Sequence, residues 1–374
     1  MSITPQLTAH LLLTLTNYKY RTFAASFGLS PDGLFLQHVL YEQPATLYND
    51  FAPDDARANA TFVVLARNSE VKGVEQSIRD LEARFNAQYQ YPYVFLNDEE
   101  FTDAFKGRVL ALTSAPVEFG LIPAEHWNQP GWIDEGRALA SRKKMQKDGV
   151  MYGGAYRNMC RFNSGFFYRH PLMLKYRYYW RIEPEVHFHC DINFDPFLFM
   201  QQNKKVYGFT MSVYEIAETI SSLWSTVSAF VEAHPAYLAA ANSLDFVSSD
   251  RGATYNLCHF WSNFEIGDME WYRGEAYSKF FDYLDRAGGF YYERWGDAPV
   301  HSLAVALFLN TSQVHFFDPI GYQHDGWSHC PLNHDLWEQG SCSCRWRGEF
   351  DYQPQSCKAR WDQLKLATIN GTMT

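Results

Sequence analysis

The stretch from Tyr178 to Asp195, YYWRIEPEVHFHCDINFD, constrains this chain more than any other. Its first half is dense in aromatic residues, which predicts a strand buried on both faces. Pro184 has no N–H to give a ladder, so pairing stops at the Glu-Pro pair. Glu183 is then left at a strand end, where open α/β sheets place their ligand sites. Asp191 and Asp195 follow on a second short extended segment, gathering acids near one sheet edge. Acids so placed suit a divalent cation held against a phosphate. The plainer alternative has Glu183 capping a strand and Asp191 in a turn.

Upstream, Thr61 to Ala66 (TFVVLA) is a continuous run of β-formers, the pattern of a buried central strand. Val74, Ile78, Leu81 and Phe85 recur at helical spacing, and Tyr93 to Leu96 reads as the next strand. This strand–helix–strand order predicts parallel pairing with a right-handed crossover. Arg67 then falls at the edge where a ligand lies, a candidate nucleotide contact. The unit carries neither Gly-x-Gly-x-x-Gly nor a Walker loop, so the phosphates need another holder.

Further along, Pro123 to Trp132 reads as a rigid loop and Glu135 to Lys147 as an exposed basic helix. Val206 to Val213 is another β-rich run, followed by a helix carrying Glu215 and Glu218. Val314 to Phe317 is the last strand-like run, and His324 sits after it in a Gly-flanked loop. Glu265 is a carboxylate in an aromatic setting, expensive to bury unless paired or functional. Arg157 and Arg161, then Glu293, Arg294 and Asp297, also lie among aromatics. Rings that stack on sugar faces beside acids that bind hydroxyls are how proteins grip sugars, and a carboxylate also suits an oxocarbenium-like transition state. The residues alone thus reach a sugar- or nucleotide-handling α/β enzyme, with a metal left open.

Composition bounds the rest. Hydrophobic residues make up 47% of 374, enough for a sizeable core in one large domain or two ordinary ones. A formal charge of −10 argues against nucleic acid as a partner. Four of the seven cysteines crowd the tail (Cys330, Cys342, Cys344, Cys357), where little periodicity is visible. That reads as disulfide stapling in an oxidising compartment, and the odd count leaves one thiol over. A zinc cluster is the rival, but Cys-Ser-Cys lacks the usual spacing. Sequons at Asn59, Asn310 and Asn370 are compatible with secretory transit. The best apolar run, Leu11 to Leu15, is too short to cross a bilayer.

The runs FVVLARNSEV, YVFLNDEEF, PAEHW, YRNMCRFNSGFF, YYWRIEPEVHFHCDINFDPF, HFWSNFEIGDMEW, GGFYYERWGDAPVHS and HFFDPIGYQH occur in that order between about residues 58 and 335. Together they resemble the fungal Golgi α-1,2-mannosyltransferase family, whose yeast members extend O- and N-linked mannose chains. The resemblance implies a GT-A-type α/β fold, a mixed sheet with a Rossmann-like nucleotide-binding half. It implies GDP-mannose as donor, Mn²⁺ as cofactor, retention of configuration, and a mannosylated glycoprotein or α-mannoside as acceptor. Carried over by position, Glu183 and His324 hold the metal, and Glu265 is the nucleophile or the group that steadies positive charge. Tyr156 approaches the donor and Asp297 contacts the reacting sugars. Arg181 is a further candidate contact to sugar or phosphate.

The resemblance also implies residence in the Golgi lumen as a type II membrane protein, although the usual anchor is not seen in this chain. After His324 the chain reads Asp-Gly-Trp, where the family pattern has a proline and an aromatic. The expected layout is an N-terminal arm or stem (1–57), a catalytic domain (58–335) and a Cys-rich extension packed on it (336–374). Two other classes compete: an inactive mannoside- or GDP-binding protein on the same fold, and a hydrolase using Glu265 and Asp297 as a pair.

Overall fold

The computed structural model of the protein describes Tyr48 and residues 57–149, 153–346 and 350–369. The run predicted as a central strand forms β1 (Ala60–Leu65). It pairs in parallel with β2 (Tyr93–Asn97), which in turn pairs in parallel with β3 (Val117–Leu121). On its other side β1 pairs in parallel with β4 (Tyr178–Arg181), the aromatic strand. Beyond β4 the sheet continues through β9 (Ile266–Asp268), β6 (Tyr207–Phe209) and β10 (Val314–Phe316). Only β9 runs against the rest, so six strands of this seven-stranded mixed sheet present their carboxyl ends at one edge. Two small sheets flank it: β5 (His187–Phe188) with β11 (Tyr322–His324) and β12 (Trp327–His329), and the pair β7 (Ser212–Tyr214) with β8 (Cys258–Phe260).

Both faces of the large sheet are covered, as the unbroken apolar strands require. Phe62, Val64, Tyr178 and Trp180 point to one core, where α1 (Val71–Leu81) lays down Val74, Ile78 and Leu81. Val63, Tyr179, Tyr207 and Phe209 point to the other, closed by α2 (Gly154–Gly165), α3 (Glu275–Ala287) and α4 (Asp297–Phe308). Every residue of α4 except Ala298 is buried, the polar Asp297, His301 and Ser302 included, so the helix is enclosed on all sides rather than amphipathic.

Several local expectations need correction. Val206 to Val213 is not one strand: Thr210 and Met211 carry the chain from β6 in the large sheet to β7 in another. Glu215 precedes any helix, and Glu218 sits in a single 3-10 turn, Ala217–Thr219; the next α-helix is Leu223–Ala233. The Pro123–Trp132 loop contains a helical turn, Ala124–Trp127. The tail's last helix, α5 (Lys358–Ile369), sends Trp361 and Leu364 into the same core as α4.

The cysteines pair as Cys190–Cys342, Cys258–Cys357 and Cys330–Cys344, and Cys160 is a buried free thiol. The arm expected at 1–57 lies outside the described residues apart from its last residue and Tyr48, whose ring packs 4.4 Å from that of Phe194. Asn59 is exposed and Asn310 half-buried, while Asn370 and Leu11 to Leu15 lie outside the described residues. Among the described residues no helix is long and apolar enough to cross a membrane.

Candidate active site

The site begins where β4 runs out. Ile182 still donates to the Val63 carbonyl at 3.0 Å, and then Pro184 ends the ladder. Helix α1 fixes the turn that follows: Ser77 Oγ donates to the Glu183 carbonyl at 2.8 Å and accepts from the Val186 N–H at 3.1 Å. Glu185 takes a left-handed φ of 63° directly against α1. Only a glycine at 73 allows that approach, because a Cβ there would lie 2.5 Å from the Glu185 side chain. Glu183 is thus held on a clamped turn at the carboxyl edge of the sheet.

Beside it a cavity of about 440 Å³ opens between β4, the β7–β8 pair, the start of α4 and the β11–β12 hairpin. Arg181, at the last position of β4, organises its floor. It donates from Nε to Glu183 Oε1 at 2.5 Å and from Nη1 to Asp297 Oδ2 at 2.5 Å. Asp297 is the first residue of α4, where a helix favours a carboxylate, and Ser262 Oγ donates to it at 2.7 Å. Burial alone would push the Asp297 carboxyl up; the Arg181 guanidinium and these hydrogen bonds outweigh it and hold it below the usual range. The same two acids hold the Arg181 guanidinium charged although it is buried.

His324 lines the same cavity from the β11–β12 hairpin. It closes β11 rather than occupying a loop, because Asp325 turns the chain with φ 51° and β12 pairs back onto β11. Its Nδ1 lies 3.0 Å from the Asn263 side-chain amide and 3.3 Å from Asp325 Oδ2. As placed, the Asn263 amide N–H donates to Nδ1; a proton on Nδ1, facing the Asp325 carboxylate instead, would leave Nε2 the lone pair a metal needs.

Tyr156 on α2 lines the same cavity, with the Arg294 guanidinium 5.5 Å from its ring centre. Arg294 Nη2 also meets Glu215 Oε1 at 3.3 Å. Glu183, His324, Arg181, Asp297 and Tyr156 are therefore brought together. Glu265 is not with them. It is 1% exposed, behind Arg181, where its Oε2 accepts from Tyr207 Oη at 3.0 Å and lies 3.0 Å from His301 Nδ1. It lines a separate small pocket shared with Arg181 and Leu65. Glu265 and Asp297 therefore do not face each other across one cavity, as a hydrolase pair must. Arg67 follows β1 at the expected edge but is exposed and outside the cavity lining.

Asp191 and Asp195 do not join Glu183. Asp191 pairs with Arg84 at 2.5 Å, and Asp195 caps the helix Pro196–Gln202 while accepting from Tyr91 Oη at 2.5 Å. Ser262 and Asn263 were not singled out from sequence. Their position directly before the Phe-Glu pair of WSNFE was the available sign.

Four carboxylates (Glu183, Glu215, Asp297, Asp325) line the cavity against two guanidiniums (Arg181, Arg294). A diphosphate enters such a lining only with a cation beside it. A carboxylate and an imidazole in one cavity lining, both part-buried, are a donor type that suits Mn²⁺.

A family model described as glycolipid 2-alpha-mannosyltransferase matches residues 37–366. Glycolipid 2-alpha-mannosyltransferase 2 of Candida albicans is 51% identical over 307 residues, covering 82% of this chain and 67% of that protein. Alpha-1,2 mannosyltransferase KTR1 of Saccharomyces cerevisiae is also 51% identical over 307 residues, 82% of this chain and 78% of its own. Among solved structures, core-mannan synthase A of Aspergillus fumigatus in its Mn/GDP form superposes with a TM-score of 0.78 at 38% identity, over 84% of this chain and 87% of that one. The mannosyltransferase Ktr4p of Saccharomyces cerevisiae in complex with GDP gives a TM-score of 0.78 at 39% identity, over 87% and 91% of the two chains.

Proposed function

Since this chain belongs to the glycolipid 2-alpha-mannosyltransferase family, we propose that it moves mannose from GDP-mannose to the 2-hydroxyl of a mannosyl acceptor with retention of configuration. It is a metal-dependent glycosyltransferase with a GT-A-type fold. The observation that carries the reading is the Arg181 fork, which joins Glu183 and Asp297 on one cavity floor.

Glu183 and His324 hold Mn²⁺, with Arg181 fixing one carboxylate oxygen of Glu183 and Asp325 or Asn263 orienting the imidazole. When bound there, Mn²⁺ would supply positive charge against the departing GDP. Asp297, kept ionised by Arg181, accepts from sugar hydroxyls at the floor, and Tyr156 approaches the donor from α2. Glu265, held behind Arg181 by Tyr207 and His301, is the group we assign to steadying the positive charge that develops at the anomeric carbon. Arg67, exposed just past the end of β1 and outside the cavity lining, is our candidate for a nucleotide contact.

The reading as an inactive binding protein requires a lost group, and Glu183, His324, Arg181 and Asp297 all line the cavity. Residence in the secretory pathway agrees with three disulfides, and we place the enzyme in the Golgi lumen, anchored as the family is.

The test is GDP release from GDP-mannose with and without methyl α-mannoside, in Mn²⁺ and then in EDTA, with the product digested by an α-1,2-specific mannosidase. Acceptor-stimulated release that EDTA abolishes, giving a digestible product, is expected. GDP binding without release in any metal sinks the transferase reading.

A further inference from the structure

The cavity floor is polar and buried, while its rim is apolar and exposed. Tyr214, Ile216 and Trp327 line the rim with 39%, 46% and 38% of their surface open. Large exposed apolar groups around one opening mark a contact surface. These rings are also held in place. Trp327 lies 4.5 Å from Phe350 in a stack and 5.3 Å from Trp261, and Tyr214 Oη lies 3.3 Å from Arg360 Nε. On β8, His259 lies opposite Val213 and lines the cavity wall at 4% exposure. A ring at the wall can meet a ligand hydroxyl through whichever nitrogen it turns to the cavity.

A nucleobase and a sugar could both use this rim. The nucleotide belongs to the parallel half of the sheet, at the carboxyl ends of β1 to β4. Tyr214, Ile216 and Trp327 lie across the cavity, on β7, just after it, and on the β11–β12 hairpin. The four carboxylates of the lining disfavour an anionic group here, so a phosphorylated sugar fits poorly. A neutral sugar ring offers an apolar face to Trp327 and hydroxyls to His259.

We propose that Tyr214, Ile216, Trp327 and His259 form a second sugar subsite, so that this enzyme selects a neutral acceptor of at least two mannose units. The proposal rests on the transferase reading: the reacting mannose takes the floor beside Asp297, and the penultimate one lies on the rim. The hairpin that carries His324 also carries Trp327, so one turn serves both the metal and the acceptor.

Calorimetric titration of methyl α-mannoside and of α-1,2-mannobiose into the protein saturated with GDP and Mn²⁺ tests this, alongside transfer to each sugar. The disaccharide should bind about three- to tenfold tighter, the scale of one aromatic contact. Trp327→Ala and Tyr214→Ala should each cut that ratio, and Trp327→Phe, which keeps a ring against Phe350, should retain most of it. Equal binding of the two sugars by the wild type, or an unchanged ratio in both alanine variants, overturns the subsite. So does a severalfold loss of GDP affinity in Trp327→Ala, which would put the guanine on the rim. Preference without transfer removes the transferase reading and keeps the subsite; transfer without preference does the reverse.

Discussion

Arg181 Nη1 meets Asp297 Oδ2 at 2.5 Å, with the two side chains 9% and 6% exposed. Removing one partner of a buried pair leaves the other charge uncompensated, which costs about 3–5 kcal/mol. Arg181→Met should therefore lower stability by about 3 kcal/mol in urea unfolding at pH 7. Because the folded Asp297 carboxyl titrates below its ordinary value of 3.8, the pair's contribution is present above that value. It is lost as pH falls through the lowered folded value. The gap between wild type and variant should thus close in acid; a gap under 1 kcal/mol at pH 7 rejects the account.

The elements legible in sequence are those with a long apolar run or a strong stop. Thr61 to Ala66 differs from β1 by one residue at each end, the basic helix Glu135–Lys147 matches its expected bounds, and Pro184 ended β4 as expected. Strands of two or three residues carry no period, which is why β5, β7, β11 and β12 were missed or merged. His324 looked like a loop residue because Asp325 and Gly326 are turn formers. They are the turn, and His324 is the strand end before it. The cavity itself is made by contacts such as Ser262 to Asp297, 35 residues apart, that no local pattern encodes. Glu183 and Asp297 were readable as candidates; the Arg181 bridge between them was not.

The disulfides should rank by loop length. Cys258–Cys357 closes 99 residues and ties α5 to β8, whereas Cys330–Cys344 closes 14. By chain entropy the first is worth about 4.7 kcal/mol and the second about 3. Cys258→Ser with Cys357→Ser should shift the denaturant midpoint more than Cys330→Ser with Cys344→Ser. The reverse order would mean that chain entropy does not set the ranking.

His329, on β12 but outside the cavity lining, offers a pH signature. It is fully buried, with Nδ1 2.6 Å from Asp351 Oδ2. Burial alone would push the imidazole down, but the Asp351 charge and hydrogen bond prevail and raise it above its usual value of 6.5. A raised folded value stabilises fully below 6.5 and fades as pH rises through it. His329→Gln should therefore lose most melting temperature near pH 5.5 and progressively less above neutrality. A loss independent of pH would show that the charge is not what matters.

If Glu183 and His324 hold the metal, their loss should uncouple nucleotide binding from the ion. Wild-type GDP affinity should fall in EDTA, while Glu183→Gln with His324→Ala should bind GDP equally with and without Mn²⁺. Transfer in that variant should drop by about 10²–10³, the scale of one lost electrostatic stabiliser. The fold should survive, because Arg181 keeps Asp297 as a partner. Retained metal dependence in the double variant would mean that other groups bind the ion.

Glu265 presents the sharpest choice between chemistry and architecture. His301 meets the Asn163 carbonyl through Nε2 at 3.1 Å and the Glu265 carboxylate through Nδ1 at 3.0 Å. Both partners are acceptors, so a proton must also lie between Glu265 and His301, and the carboxylate is locked where Tyr207 and His301 hold it. Gln at 265 keeps the shape and can still bond to both neighbours, but it carries no charge. A structural Glu265 therefore predicts nearly normal turnover for Glu265→Gln. A Glu265 that faces positive charge in the transition state predicts a fall in kcat of about 10²–10³ with GDP affinity unchanged. We expect the second result, read from kcat at saturating donor beside GDP titration of the same preparation. Turnover within about tenfold of wild type would return Glu265 to the core.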